Sequence, residues 1–505
     1  MDSRTIPAPG FGCTFEDLYS REGLVRLDQH FVTALKERDA ALHDRLAHAR
    51  RDPGTLAPRL ESALLLHLAP HLEQFIARLF GIETEVRALA ARHHELAPLY
   101  QVKRQFVQRK AMHRYPAREA EGFDGLALER ELASAFGEPF SELAYARHVG
   151  EWQKDDTAHA AKLESALRYA AWAAHTAAGR EHSAAGVLFK APAKLDPQRL
   201  VPVVTEEGQG IRTHRLDSRH LRRRDGFKLT DRGADLVHAL DEAHYCIWCH
   251  EQGKDSCSKG LLEKGAAGRG AAAFKKSPFG ATLAGCPLEE KISEFQQAKA
   301  EGRSIGALAI IVVDNPMVAA TGHRICNDCM KSCIYQKQEP VDIPQAETRT
   351  LKDVLELPWG FEIYSLLTRW NPLNLRAPLP RPASGKRVLV AGMGPAGIAL
   401  AHHLLNDGHT VVGVDGLKIE PLPENLGGVN ERGERVPFMP VRDVKSLYEA
   451  LDGRVMAGFG GVAEYGITVR WDKNFLRILR LLLERRRELS GLHRGEKSKP
   501  PHLHP

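Results

Sequence analysis

The residues best suited to chemistry in this chain are cysteines: Cys246, Cys249, Cys257, Cys286, Cys326, Cys329 and Cys333. Seven of the eight cysteines fall within an 88-residue window, and Cys13 stands apart as a small hydrophobe. The first three sit in HYCIWCHEQGKDSC, the last three in HRICNDCMKSC, and Cys286 precedes a proline. Thiolates at such spacings serve zinc coordination, disulfide pairing, redox exchange or iron–sulfur ligation. Clustered cysteines in a reducing compartment read as metal-binding or catalytic rather than as disulfides. Two zinc knuckles, Cys246-x2-Cys249 and Cys326-x2-Cys329, would leave Cys257, Cys286 and Cys333 without a role. Two cubane clusters need four ligands each, and seven cysteines plus one other residue supply them.

A second chemical motif follows the cysteines. Val388 to Val390 lead into Gly392-Met393-Gly394-Pro395-Ala396-Gly397, a helical stretch, and then GHTVVGVD, ending at Asp415. This is the strand, glycine loop, helix, strand and acid order of a dinucleotide-binding unit. Gly392 permits the tight turn, Gly394 admits the pyrophosphate to the backbone, and Gly397 lets the helix pack closely. The N-terminus of that helix, at Pro395 and Ala396, faces the phosphates, and Asp415 can accept from ribose hydroxyls.

Several elements must position these residues. Residues 1–240 read as mainly helical: Phe31, Leu35, Leu42 and Leu46 make one apolar stripe, and Leu64, Leu68, Leu72, Phe75 and Leu79 a second. A third runs from Glu151 to Thr176 through Trp152, Leu163, Leu167 and Trp172, and no catalytic constellation appears in this region. Residues 187–217 read as loops or edge strands, and Asp235 to His244 as a helix entering the first cysteine pair. Residues 241–369 form the cysteine-bearing unit, 370–385 a proline-rich linker, 386–488 the dinucleotide unit, and 489–505 a disordered basic tail.

Composition sets limits. A chain of 505 residues is too long for one ordinary core, and 43% hydrophobic with 27% charged residues fits a globular protein. A net charge of +6 does not argue for nucleic acid. The longest apolar run, Ala307 to Val313, is seven residues, so no membrane span is expected. The N-terminus lacks a secretory pattern, which leaves the cytoplasm as the expected location.

The cysteine window resembles the two-cluster domain of the glutamate synthase small subunit and dihydropyrimidine dehydrogenase. That family carries C-x2-C-x4-C-x3-C-P, then GRxC…C-x3-C, then V-x-I-x-x-[IL]-[EQ]. Here the matching residues are Cys246, Cys249, Cys257, Cys286-Pro287, HRICNDCMKSC and VDIPQAE, ending at Glu347. Seven residues rather than four separate Cys249 from Cys257, and about 25 extra residues precede Cys286. Cys326 and Cys329 are also closer together than the family's pattern. A further family element, GG-x3-YGI-x3-R, appears as Gly460-Gly461 through Tyr465 to Arg470, with residues 417–459 reading as an insertion.

The resemblance implies a multidomain protein: a helical N-terminal region, a helical two-cluster ferredoxin-like domain, and an incomplete α/β Rossmann-type FAD domain. It implies that Cys246, Cys249, Cys257 and Cys333 hold one 4Fe-4S cluster. Cys286, Cys326, Cys329 and Glu347 would hold the second, with Gln345 as the alternative to Glu347. It further implies an oxidoreductase in which hydride from NAD(P)H reduces FAD, and FAD passes single electrons to the clusters. Gly392, Gly394, Pro395, Ala396, Gly397, Asp415, Gly460 and Gly461 would contact the flavin. No second glycine fingerprint follows Arg470, so a truncated enzyme or a completing second subunit is expected, and the NAD(P)H site rests on the resemblance alone. Two other readings stand beside it: an electron-transfer subunit of a larger complex, and a non-enzymatic zinc-binding scaffold with a degenerate Rossmann unit.

Overall fold

The computed structural model describes residues 8–221, 232–263, 273–322, 326–415, 422–449 and 474–494. Phe31, Leu35, Leu42 and Leu46 are all buried, but on two helices, α1 (Arg21–Arg38) and α2 (Ala40–Arg51). Asp39 leaves helical geometry at φ −148°, and its carboxylate accepts from the Leu42 amide at 2.8 Å. One helix therefore ends where the next is capped. α3 (Pro58–Phe80) buries Leu64, Leu68, Leu72, Phe75 and Leu79, and ends at Gly81 with φ +62°, a left-handed stop. α4 (Glu83–Val102) runs on into a π-helical segment, Lys103–Ala111. The third stripe also divides, with Trp152 closing α5 (Glu142–Trp152) and Leu163, Leu167 and Trp172 on α6 (Ala160–His175).

The expected helical region 1–240 splits between two cores. One core joins Cys13 through Ile82 to buried residues between Ile292 and Leu489. The other gathers Leu99 through Phe189 and closes on Leu236 and Leu240 of α7 (Leu236–Tyr245). Between Phe189 and Leu236 the chain forms an exposed antiparallel hairpin, β1 (Val203–Gly208) and β2 (Ile211–Leu216). The first seventy-odd described residues thus belong structurally with the cysteine-bearing unit.

In the first core, α8 (Ile292–Ala300) and α9 (Ser304–Asp314) pack together, and α9 contacts α3 and α10 (Ile343–Leu355). The apolar run Ala307 to Val313 is the body of α9, whose residues Ser304 through Val312 are all buried. A helix that is apolar all round belongs inside. Its N-terminus is capped from α3: Glu73 accepts from the amides of Ile305 at 3.0 Å and Gly306 at 3.3 Å. Burial pushes the Glu73 carboxyl up to about 7 against these amides and Arg303. The folded chain then holds this proton to higher pH than the unfolded chain, so stability falls as pH rises from about 4.5 towards 7. The contribution is about 3 kcal/mol. Glu73→Gln is expected to shrink the drop in urea midpoint between about pH 5 and about pH 8; an unchanged drop would place the titration elsewhere.

The segment expected as a free linker starts inside this core. Trp370 is fully buried after α11 (Gly360–Leu367), with Leu373 and Leu375 buried beyond it. Its indole donates to Asp28 at 3.0 Å, and Asn371 donates to the Ala309 carbonyl at 2.8 Å. Strand β3 (Arg387–Ala391), helix α12 (Pro395–Asn406) and strand β4 (Thr410–Asp415) follow. α13 (Asn474–Glu484) then leads to β5 (Leu489–Arg494), giving a parallel sheet in the order β3-β4-β5. The beginning of the expected disordered tail is therefore a third strand, paired with β4; residues 495–505 lie outside the described residues.

Arg485 and Arg486, which open the basic run before that tail, are buried. Arg485 reaches Glu362 at 2.6 Å, Tyr19 at 3.1 Å and the carbonyls of Leu426 and Met439 at 2.8 Å. Carboxylate, phenol and carbonyl partners from four segments make burial of Arg485 tolerable. Among the described residues, no helix is long and apolar enough to cross a membrane.

Candidate functional site

Four of the predicted thiols meet at one pocket. Cys246 ends α7, Cys249 opens a short turn, Cys257 lies in the turn Ser256–Lys259, and Cys333 follows the turn Asp328–Ser332. All four line a single pocket with Ile247, Ile292, Val341 and Ile343. Trp248 at φ 51° and Gly253 at φ 64° reverse the chain between them. The long loop from Cys249 to Cys257 is pinned: the amide of His250 donates to Ser293 Oγ at 3.2 Å, and Lys254 N to the Cys249 carbonyl at 3.1 Å.

The insertion before Cys286 does not separate it from Cys257. Leu261 donates to Leu283 at 2.9 Å and Lys275 to Leu261 at 2.8 Å, so the described ends of the insertion pair as a ribbon. Cys286 N then bonds the carbonyls of Cys257 at 2.8 Å and Ser258 at 3.0 Å. Gly285 takes φ +86°, and a side chain there would run into the backbone of Ser258 and Gly260. The extra length is therefore looped outward while the two cysteines stay adjacent.

Burial pushes the thiols up, Cys246 to about 12 and Cys249 to about 11, with Cys257 and Cys333 also raised. Apart from backbone amides, the groups acting on them are other thiols and the carboxylates of Asp255 and Glu242. Backbone amides donate to sulfur: Trp248 to Cys246, and Ile334, Tyr335 and Val341 to Cys333. A buried thiol set with amide donors becomes thiolate when a metal supplies positive charge. Among the described residues, no three His, Cys, Asp or Glu side chains converge as ligands of one metal ion. The donor chemistry fits a cluster.

The second predicted set does not converge as ligands of one ion among the described residues, but Cys286 and Cys329 each lie within electrostatic reach of Glu347 and Cys326. Leu288 and Glu290 amides donate to Cys286, while burial and the Glu347 charge raise Cys329. Burial lifts Glu347 to about 7, and Asn315 Nδ2 donates to its Oε1 at 2.7 Å. Thr321 in turn donates to Asn315 Oδ1 at 2.7 Å, which fixes that amide. Gln345, the alternative ligand, accepts from Ala234 N at 2.8 Å through its Oε1, just before α7. The sequence reading missed Glu290, a buried carboxyl bonded to Glu347. Its position four residues after Cys286 was the available signal.

The glycine loop joins β3 to α12. Gly392 has φ +92°, and its amide bonds the Val414 carbonyl at 2.8 Å. Gly394 caps α12 with Pro395 in its first turn, and a Cβ at Gly397 would collide with the Gly392 carbonyl. Asp415 Oδ2 accepts from Met393 N at 2.8 Å, so the expected ribose-binding carboxylate also braces the loop. Gly397→Ala is expected to displace this loop while the thiol pocket persists; unchanged amide hydrogen exchange at Gly392 and Met393 would contradict it. Asn406 Nδ2 bonds the Thr368 carbonyl at 3.0 Å, tying α12 to the end of α11. Gly460, Gly461, Tyr465 and Arg470 lie outside the described residues. The described part of the expected insertion, 422–449, turns back towards α11: Trp359 N bonds Arg442 O at 2.7 Å, and Val441 N bonds Glu362 at 2.7 Å.

The family model described as the RP005 N-terminal alpha-helical domain matches residues 9–81, nearly the same stretch that joins the first core. The uncharacterised protein RP005 of Rickettsia prowazekii is 31% identical over 300 residues, 58% of this chain and 98% of that protein. The chain belongs to the RP005 family. A second Rickettsia prowazekii protein, uncharacterised RP006, is 56% identical over 169 residues, 34% of this chain and 22% of RP006. The glutamate synthase [NADPH] small chains of Mycobacterium tuberculosis and Bacillus subtilis are 30% and 33% identical over 128 and 129 residues. Each match spans 25% of this chain and 23% of the small chain. The chain therefore covers less than a quarter of RP006 and of these small chains.

Proposed function

We propose that this RP005-family chain is the electron-transfer part of an iron–sulfur flavoprotein oxidoreductase. The observation that carries the reading is the meeting of Cys246, Cys249 and Cys257 with the distant Cys333 at one pocket. Cys246, Cys249, Cys257 and Cys333 would hold one 4Fe-4S cluster, and Cys286, Cys326, Cys329 and Glu347 the other. The loop Gly392 to Gly397, with Asp415, would seat FAD in a Rossmann-type unit. Bound, these groups supply two-electron to one-electron conversion and single-electron relay.

The chain's own residues orient and shield. Ile247, Ile292, Val341 and Ile343 keep water from the first thiol set, and the amides of Ile334, Tyr335 and Val341 would hold Cys333 as thiolate. Asn315 holds Glu347 with a carboxylate oxygen fixed. The partial likeness to glutamate synthase small chains supports the same class.

Reduction tests the reading. Anaerobically reconstituted protein should bleach broadly in the visible on dithionite addition and recover its colour in air. A colourless protein without such a change would overturn it.

A further inference from the structure

A cavity of about 320 Å³ adjoins the thiol pocket at Cys246 and Ile247, which line both, and the rest of its wall is Arg104, His244, Trp248, Glu251 and Gln252. Its size lies within the range of small-molecule sites. Two rings in its wall are fixed before any ligand arrives. His244 stacks on Tyr100 with centroids 4.6 Å apart and planes 14° off parallel. Trp248 Nε1 donates to the Ala243 carbonyl at 3.3 Å.

Its polar side chains are uncommitted. Among the described residues, Arg104, Glu251 and Gln252 make no side-chain hydrogen bond or ion pair, and neither do the ring nitrogens of His244. Two backbone features set this wall apart. Arg104 rides on the π-helical segment Lys103–Ala111, an arrangement found frequently at functional sites. Trp248 takes φ 51°, a left-handed conformation that is an outlier for so bulky a residue. Such strain gathers at ligand clamps.

We infer that this cavity binds a planar nitrogen heterocycle with a lactam edge, its face against the His244 and Trp248 rings and its edge read by Arg104, Glu251 and Gln252. A guanidinium supplies donors, a carboxylate acceptors and an amide both, which matches the alternating donors and acceptors of a lactam. A simple anion would meet Glu251, and a simple cation Arg104. The rings are already immobilised, so little ordering is lost on binding. Nothing in the assignment requires a cluster, but on the reading proposed above such a ligand would sit beside Cys246, a ligand of the first cluster.

Calorimetric titration of the full chain with lumichrome, and with phenazine as a planar tricycle lacking the lactam, tests this. Lumichrome should bind at least roughly tenfold tighter than phenazine, and Arg104→Met should remove roughly tenfold of that affinity. Arg104 is exposed and outside both thiol sets, so iron content should not change in the variant. Equal affinity for the two compounds, or lumichrome binding indifferent to Arg104→Met, overturns the inference. So does failure of the wild-type chain to bind lumichrome. These outcomes are read independently of iron content, so they fail or succeed apart from the cluster reading.

Discussion

Cys333→Ser is expected to halve the iron of the anaerobically reconstituted protein, from roughly eight to roughly four atoms per chain. The expectation follows from the division of the thiols. Cys333 lines the pocket of Cys246, Cys249 and Cys257, whereas Cys286, Cys326, Cys329 and Glu347 interact with one another. The first cluster then loses one corner and three amide-to-sulfur hydrogen bonds, while the second keeps every ligand. Spacing alone would group Cys333 with Cys329 and Cys326, its nearest neighbours in sequence, and on that grouping the second cluster would be lost. Cys257→Ser separates the two: it should produce the same half-loss as Cys333→Ser, and the double variant should lose no more. Additive loss in the double variant would place the two cysteines on different clusters.

The largest stability effect is expected at Asp353. Lys299 Nζ donates to its Oδ2 at 2.8 Å, with neither side chain exposed, and Arg349 Nε donates to its Oδ1 at 2.6 Å. Burial works to raise the Asp353 carboxyl, but the Lys299 and Arg349 charges hold it below the usual range. Asp353→Ala would strand a buried ammonium, at a cost of about 3–5 kcal/mol. The pair lies between α8 and α10, so the loss should appear in the urea transition of the first core. The combination Lys299→Met with Asp353→Leu should recover most of it, because Arg349 retains Glu356 at 2.8 Å. A single variant within about 1 kcal/mol of wild type would contradict this account of the core.

Much of this arrangement was legible in the sequence where the signal is local. The apolar stripes predicted which side chains are buried, because helical period and burial share a cause. They did not predict that Asp39 would break one stripe into two helices, since an aspartate inside a periodic run gives no sign of its backbone angle. Glycine spacing located the turn at Gly392 and the close approach at Gly397, both of which follow from the missing Cβ. Domain boundaries were less legible. Residues 9–81 look like part of a long helical region, and only long-range contacts such as Glu73 to Ile305 and Tyr19 to Glu362 assign them to the cysteine-bearing core. The run RRR at 485–487 showed only charge, because the sequence does not reveal the Glu362 carboxylate that Arg485 meets.

The candidate site divides in the same way. Cysteine identity and the Cys-Pro pair marked the thiols, and the structure adds that the insertion before Cys286 folds back on itself. Gln345 and Glu347 stand two apart and could not be ranked by sequence. In the structure Gln345 accepts from the Ala234 amide, while the Glu347 charge acts on Cys329. Glu290 had only its place four residues after Cys286 as a signal; its meaning comes from burial against Glu347.

Metal and acid-labile sulfide analysis of the anaerobically purified chain tests the central claim most directly. The account predicts roughly eight irons and a matching amount of sulfide per chain, with little zinc. A protein carrying stoichiometric zinc and no labile sulfide would contradict it.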